Sequence, residues 1–75
     1  MPRAKKKYVV CLSNEGYEGA LERNKIYVAL GAIGAEEPGS VRVIDESGED
    51  YLYGAERFAE IELPRKVARA LSASV

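Results

Sequence analysis

Apolar residues occur in short runs along this chain, and clusters of turn-forming residues separate the runs. The first run, Tyr-Val-Val-Cys-Leu at residues 8–12, is rich in β-branched and aromatic side chains and ends at the polar stretch Ser-Asn-Glu-Gly. Runs of about five residues bounded by such clusters are typical of β-strands. The pattern predicts strands over residues 8–12, 25–30, 41–45, 49–53 and 59–63.

The segments between the predicted strands differ in length and chemistry. Residues 13–24 form a long connection that is predicted to be a loop, with a short helix over residues 18–23 as the alternative. Residues 46–48 fit a three-residue hairpin loop in which Gly48 takes a left-handed conformation. Residues 54–58 are too few for an α-helix and favour one 3₁₀ turn.

The two ends of the chain carry different signals. Residues 1–6 show no apolar periodicity and are predicted to be a flexible basic arm. Residues 7–63 hold all the predicted strands and form the predicted domain. Residues 64–75 begin with proline, a favoured first helical residue, and place Val67 and Leu71 on one helical face. This pattern predicts a short amphipathic helix that ends near Leu71, followed by a frayed tail.

Five short strands create a problem at the edges of the sheet. A flat five-stranded sheet would expose two unpaired strands, and such edges promote aggregation. Closure of the sheet removes the edges, so the pattern favours a barrel. The expected fold is mainly β: a small five-stranded barrel with a 3₁₀ turn and a short C-terminal helix.

The order of the predicted elements resembles the Src-homology-3-like barrel: strand, long loop, strand, loop, tight hairpin, 3₁₀ turn and last strand. Residues 50–58, with the sequence Asp-Tyr-Leu-Tyr-Gly-Ala-Glu-Arg-Phe, look like the strand and 3₁₀ turn that end such barrels. Residues 21–27 and 41–53 are similar to a group of small, uncharacterised bacterial proteins given the same fold. The resemblance implies that fold and implies no activity.

The chain departs from the peptide-binding members of that family. Those members hold Pro-rich helices between aromatic side chains, including a Trp after the second strand and a Pro and a Tyr at the 3₁₀ turn. This chain has no Trp, and Gly54 and Phe58 stand where that Pro and Tyr would be. Recognition of polyproline is therefore not implied.

The residue types that most often carry catalysis are scarce. The 75 residues include no His and one Cys, so the serine hydroxyls have no imidazole to activate them and no internal disulfide can form. Cys11 lies within a predicted strand and is expected to be a buried, inert thiol. We expect a protein that is not an enzyme and needs no cofactor or metal. Four carboxylates of the predicted hairpin match no known calcium loop and are expected to be solvated: Asp45, Glu46, Glu49 and Asp50.

No stretch of the chain predicts export or membrane insertion. The longest apolar run near the start has five residues, whereas a secretory signal needs about 7–15 and a membrane span about 20. A cytoplasmic location without a membrane partner is therefore expected.

Charge is distributed unevenly along the chain. Residues 1–7 carry four basic side chains and residues 63–75 carry three, so the net charge of −1 leaves −8 on the residues between them. Two basic ends on an acidic body supply cations that could meet a phosphate backbone. The residues predicted for this alternative, nucleic-acid binding, are Lys5, Lys6, Lys7, Arg65, Lys66 and Arg69.

The aromatic residues are the main candidates for contact with a partner. By the period of two in a strand, Tyr27 lies opposite Ile26, whereas Tyr51 and Tyr53 lie opposite Leu52. One of the two Tyr sets must face outward unless a strand is covered on both sides. An outward cluster would form a shallow binding groove, and the alternative is that the aromatic rings fill the small core. The predicted contact residues are Tyr17, Tyr27, Tyr53 and Phe58.

These observations predict a non-catalytic binding module whose partner is a protein. Binding of nucleic acid through the basic ends is the alternative function. The predicted helix adds a third alternative, because it is too short to be stable alone and must bury Val67 and Leu71 against its own barrel or against another chain. The expected assembly is a monomer or a weak homodimer through these two residues.

Overall fold

The computed structural model describes the backbone of residues 6–74 and the side chains of residues 7–70. The predicted arm over residues 1–6 lies outside this part of the chain apart from the backbone of Lys6, and the side chain of Leu71 also lies outside it. Every predicted strand is present, with bounds within two residues of those expected. The elements are β1 (Lys6–Cys11), β2 (Ile26–Leu30), β3 (Ser40–Ile44), β4 (Asp50–Gly54), a 3₁₀ turn (Ala55–Arg57), β5 (Phe58–Ile61) and α1 (Arg65–Ser74).

Over residues 6–74 the strands form one antiparallel sheet in the order β4-β3-β2-β1-β5. The strands β4 and β5 lie at opposite edges, although the 3₁₀ turn alone joins them. A flat sheet would separate these edges by about 19 Å, whereas a three-residue 3₁₀ turn advances about 6 Å. The rings of Tyr53 in β4 and Phe58 in β5 are only 6.1 Å apart. The sheet is therefore strongly curled.

The curled sheet is not closed, because in its described strands β4 and β5 form no ladder with each other. Backbone groups at the junction bond elsewhere instead. The Ala55 N–H donates to Gly39 O at 2.8 Å, and Arg57 O accepts from Leu12 N–H at 2.7 Å. The structure is thus mainly β with an open, curled sheet, and the closed Src-homology-3-like barrel stays a prediction.

The alternation of side chains gives the curled sheet two faces. Here the inner face is the concave side that holds the core, and the outer face is the opposite side. Tyr27 and Ala29 in β2 lie on the inner face, so Ile26, Val28 and Leu30 lie on the outer face. The buried core cluster contains Val9, Cys11, Leu21, Tyr27, Ala29, Val41, Val43, Tyr53 and Phe58.

The long connection between β1 and β2 covers part of the inner face. Its backbone makes a single turn in which the Ala20 and Leu21 N–H groups donate to Tyr17 O at 2.9 and 2.8 Å, and no helix forms there. The predicted loop is confirmed over the short helix. Leu21 is 1% exposed and belongs to the core. One buried leucine therefore attaches a mostly exposed loop to the sheet.

The helix α1 follows β5 and lies near the start of β1. The Tyr8 hydroxyl, on the outer face of β1, donates to Ala68 O at 2.9 Å. The helix ends three residues later than expected, since no Gly or Pro follows Leu71 to stop it. Over residues 6–74, no helix has both the length and the apolar character that a membrane span requires.

Candidate functional site

Three of the four predicted contact residues form one aromatic cluster. The ring centroids of Tyr17 and Tyr53 lie 5.2 Å apart in an edge-to-face arrangement, and those of Tyr53 and Phe58 lie 6.1 Å apart. Tyr17 is 45% exposed, whereas Tyr53 and Phe58 are each 6% exposed. The cluster therefore runs from the surface of the loop into the core, and Tyr17 is its surface member.

The hydroxyl of Tyr53 is hydrogen-bonded to a buried carboxylate, that of Asp45. Tyr53 Oη donates to Asp45 Oδ2 at 2.6 Å, while the Ser47 N–H and Oγ donate to Asp45 Oδ1 at 2.9 and 2.5 Å. Burial alone would raise the pKa of Asp45, but these hydrogen bonds outweigh it and hold that pKa below its usual value. Burial and the bond to Asp45 raise the pKa of Tyr53. Asp45 thus fixes the hairpin to the core, and the expectation that it is solvated was wrong.

The fourth predicted contact residue, Tyr27, lies apart from this cluster and is also 6% exposed. Its hydroxyl donates to Glu46 Oε2 at 2.5 Å and accepts from the Glu22 N–H at 2.6 Å. Lys25 Nζ donates to the same carboxylate at 2.7 Å. The Lys25 and Tyr27 hydrogen bonds lower the pKa of Glu46, while burial and the bond to Glu46 raise that of Tyr27. Tyr27 therefore connects the long loop to the hairpin.

Acid is expected to destabilise the fold through Asp45. Its pKa is depressed in the folded state, so its contribution is present above the unfolded-state pKa of about 3.9 and is lost as the pH falls through the folded-state value. Asp45→Asn should therefore lower stability near neutral pH and weaken the acid dependence. Urea unfolding across the acid range measures both effects. Glu37→Gln, which changes an exposed carboxyl outside this network, should keep the wild-type dependence; an unchanged slope in Asp45→Asn would contradict the assignment.

Arg57 completes the surface around Tyr17. Its guanidinium lies 4.5 Å from the centroid of the Tyr17 ring, and Nη1 donates to Ser13 O at 3.3 Å. Stacking of a guanidinium on an aromatic face is a favourable contact that leaves other N–H groups free to bind. Sequence reasoning missed Arg57, because nothing in the pattern indicated that residue 57 would reach the loop at residue 17.

The outer face of the sheet carries mainly apolar side chains. Ile26 and Leu52 on this face are each 36% exposed, whereas Val28 and Tyr8, also on this face, are 5% and 9% exposed. On this face Val10 pairs with Ile26, and Val28 pairs with Ile44. The two exposed side chains, Ile26 and Leu52, make the outer face a candidate contact surface. The apolar residues of the outer face are Tyr8, Val10, Ile26, Val28, Leu30, Ile44, Leu52, Ala59 and Ile61.

The predicted basic residues are brought together only in part. The start of β1 meets α1 through the Tyr8 hydrogen bond, and Lys7 lines a cleft of about 370 Å³ together with Tyr8 and Ala68. Lys7 Nζ lies 3.1 Å from Glu60 Oε2, so its charge is paired. The side chains of Lys5 and Lys6 lie outside the described residues. The cations exposed on α1 are Arg65, Lys66 and Arg69.

The described side chains were compared with the arrangements that metal ions and reactive thiols require. Over residues 7–70, no group of three or more Cys, Asp or Glu side chains is placed to hold a metal ion. The Cys11 thiol is fully buried, as expected, and burial raises its pKa, which opposes formation of the thiolate.

Comparison with known proteins gives no relative from which the role of these surfaces could be inferred. No family model, curated protein or solved structure matches this chain. The resemblance to Src-homology-3-like barrels therefore stays a prediction from sequence.

Proposed function

We propose that this protein is a non-catalytic module that binds a protein partner through the outer face of its sheet. The observation that carries this proposal is the exposure of two large aliphatic side chains, Ile26 and Leu52, on that face. Covering their apolar area with a partner removes it from water and supplies about 25 cal/mol per Å². Tyr17 and Arg57 offer a second, smaller surface, and both residue types are frequent at interface hot spots.

The proposal includes the scaffold. A curled sheet with a long first loop, a tight central hairpin and a 3₁₀ turn before the last strand supports a Src-homology-3-like arrangement. Such a scaffold holds its binding residues on a rigid sheet, which reduces the conformational entropy lost on binding. A cytoplasmic location belongs to the same proposal, and the lone buried Cys11 suits a reducing compartment.

Nucleic-acid binding is the second candidate function. The observation in its favour is the position of α1 beside the start of β1, where Lys7 and Ala68 line one cleft. The acidic body opposes it, since it would repel phosphates at short range. Protein binding is the better supported of the two, because the outer face offers apolar area that a phosphate backbone would not cover.

A photo-crosslinking amino acid, introduced singly in cells of the source organism, tests the proposal. At position 26 or 52 we expect a discrete protein adduct, because both residues lie on the outer face. At Ile33, an exposed residue of the β2–β3 loop, we expect no adduct, and this position is the matched control.

Other patterns of adducts would contradict the proposal. Adducts from position 17 alone would move the site to the Tyr17–Arg57 surface, and equal yields from positions 33 and 52 would show no specific site. Nucleic acid crosslinked from position 66 in α1 would favour the second candidate function instead.

A further inference from the structure

The largest described apolar side chain of the helix α1 is uncovered. None of its described side chains is buried, and Val67 is 43% exposed. A helix of about ten residues gains its stability from tertiary contacts rather than from its own hydrogen bonds. The contact described above, from the Tyr8 hydroxyl to Ala68 O, is made through a backbone oxygen of the helix.

The cations of α1 form no ion pair with the side chains that the structure describes. Within the described side chains, Arg65, Lys66 and Arg69 take part in no ion pair. The chain does carry a surplus of acid, because residues 8–62 have a net charge of −8. The helix therefore has both an uncovered apolar position and uncompensated positive charge.

The outer face has an exposed apolar residue and negative charge close together, at the part of the face formed by β3 and β4. This part is called the β3–β4 end. Leu52 pairs with Arg42, whose guanidinium lies 2.6 Å from a Glu36 oxygen and 2.9 Å from an Asp50 oxygen. Two carboxylates share this one cation, so the corner keeps net negative charge. Glu37, the next residue after Glu36, adds an exposed carboxylate. Leu52 is thus exposed beside negative charge, whereas Val67 in α1 is exposed beside three positive charges. The two sites are complementary in both polarity and charge.

We infer that the partner of the outer face is a second copy of this chain, with α1 of each copy packed against the β3–β4 end of the other. Val67 would contact Leu52, and the helix cations would face Glu36, Glu37 and Asp50. One chain carries both halves of the contact, so a two-fold dimer makes it twice. This inference rests on the proposed function, because it names the occupant of the same face.

Sedimentation equilibrium over a concentration series at low and high salt tests the dimer. We expect reversible dimerisation that weakens as salt rises, since complementary charges contribute. Leu52→Asp and Val67→Asp should each weaken dimerisation at least about 10-fold, which corresponds to about 1.4 kcal/mol. Leu12→Asp adds the same charge at an exposed leucine directly after β1 and should leave dimerisation unchanged.

A mixture of the two variants gives a test that does not depend on a loss of association. Leu52→Asp keeps an intact helix and Val67→Asp keeps an intact face, so a heterodimer regains one unaltered contact. We expect the mixture to associate more tightly than either variant alone, and a mixture no tighter than the variants would overturn the inference.

Two further results would overturn the dimer. One is a wild-type protein that stays monomeric up to about 1 mM, and the other is dimerisation that Leu52→Asp leaves intact. If a monomeric wild type still gave crosslinks from position 52 to a different protein, the dimer would be excluded and the proposed function would stand. If the crosslinks from position 52 were absent as well, both the dimer and the proposed function would be excluded.

Discussion

Replacing Phe58 with alanine is expected to lower the free energy of unfolding by about 3–5 kcal/mol. Phe58 is 6% exposed at the start of β5, and its ring packs against Tyr53 from the opposite edge of the sheet. The substitution would leave a cavity where the two edges approach each other. Small domains have a total stability of about 5–15 kcal/mol, so the loss would be a large part of it. Urea unfolding followed by circular dichroism measures the change.

Tyr17→Ala is the matched control within the same aromatic cluster. Tyr17 is half-exposed, and its substitution removes the edge contact with Tyr53 and the stacking of Arg57. We expect a cost of about 1–2 kcal/mol, because each of these contacts is worth about 1 kcal/mol. Equal losses in the two variants would show that Phe58 is not the core residue that its burial indicates.

Leu21→Ala is expected to cost about 2–5 kcal/mol and to loosen the long loop. Leu21 is fully buried in a loop whose other residues are mostly exposed, so it holds the loop against the sheet. The loop also receives a backbone hydrogen bond of 3.0 Å from the Glu46 N–H to Ala20 O. Faster amide hydrogen exchange at Glu46, together with urea unfolding, measures the local and global effects.

Leu12→Ala controls for the chemical change itself. Leu12 is an exposed leucine directly after β1, and its truncation should alter the free energy of unfolding by about 0.5 kcal/mol or less. If Leu21→Ala behaved like Leu12→Ala, the loop would not depend on its buried leucine.

The positions of the strands could be predicted from the sequence because turn formers separate β-branched and aromatic runs. Gly48 shows how local this information is: its φ of 85° is the left-handed value that the hairpin loop requires. Whether the curled sheet closes into a barrel could not be predicted in the same way. It depends on where backbone groups such as Ala55 N–H and Arg57 O find partners, and those partners, Gly39 and Leu12, are far away in sequence.

The roles of the tyrosines were harder to predict, since alternation separates two faces without saying which one is buried. The side chains of β2 were assigned to opposite faces correctly, but the structure turns Tyr27 inward and Ile26 outward. The buried Tyr27 and Tyr53 hydroxyls find acceptors on Glu46 and Asp45, which offsets the cost of burying them. An Asp two residues before a Ser in a tight turn is a local signal that could have indicated the role of Asp45.

Because these tyrosines are buried, the aliphatic side of the sheet is the better candidate for a contact surface. Once Tyr27, Tyr53 and Phe58 fill the core, the apolar residues opposite them face outward. The amphipathic α1 then becomes relevant, because it carries exposed Val67 and three cations on a chain whose body is acidic. The central claim is that the outer face and α1 of two copies meet.

A concentration series of ¹H–¹⁵N correlation spectra tests that claim most directly. With increasing protein concentration, amide shifts should move in β3 and β4 around Leu52 and in α1 around Val67, and the changes should shrink at high salt. Amides of the loop around Tyr17 should stay in place. Spectra that do not change with concentration, or changes confined to the loop around Tyr17 and Arg57, would contradict the claim.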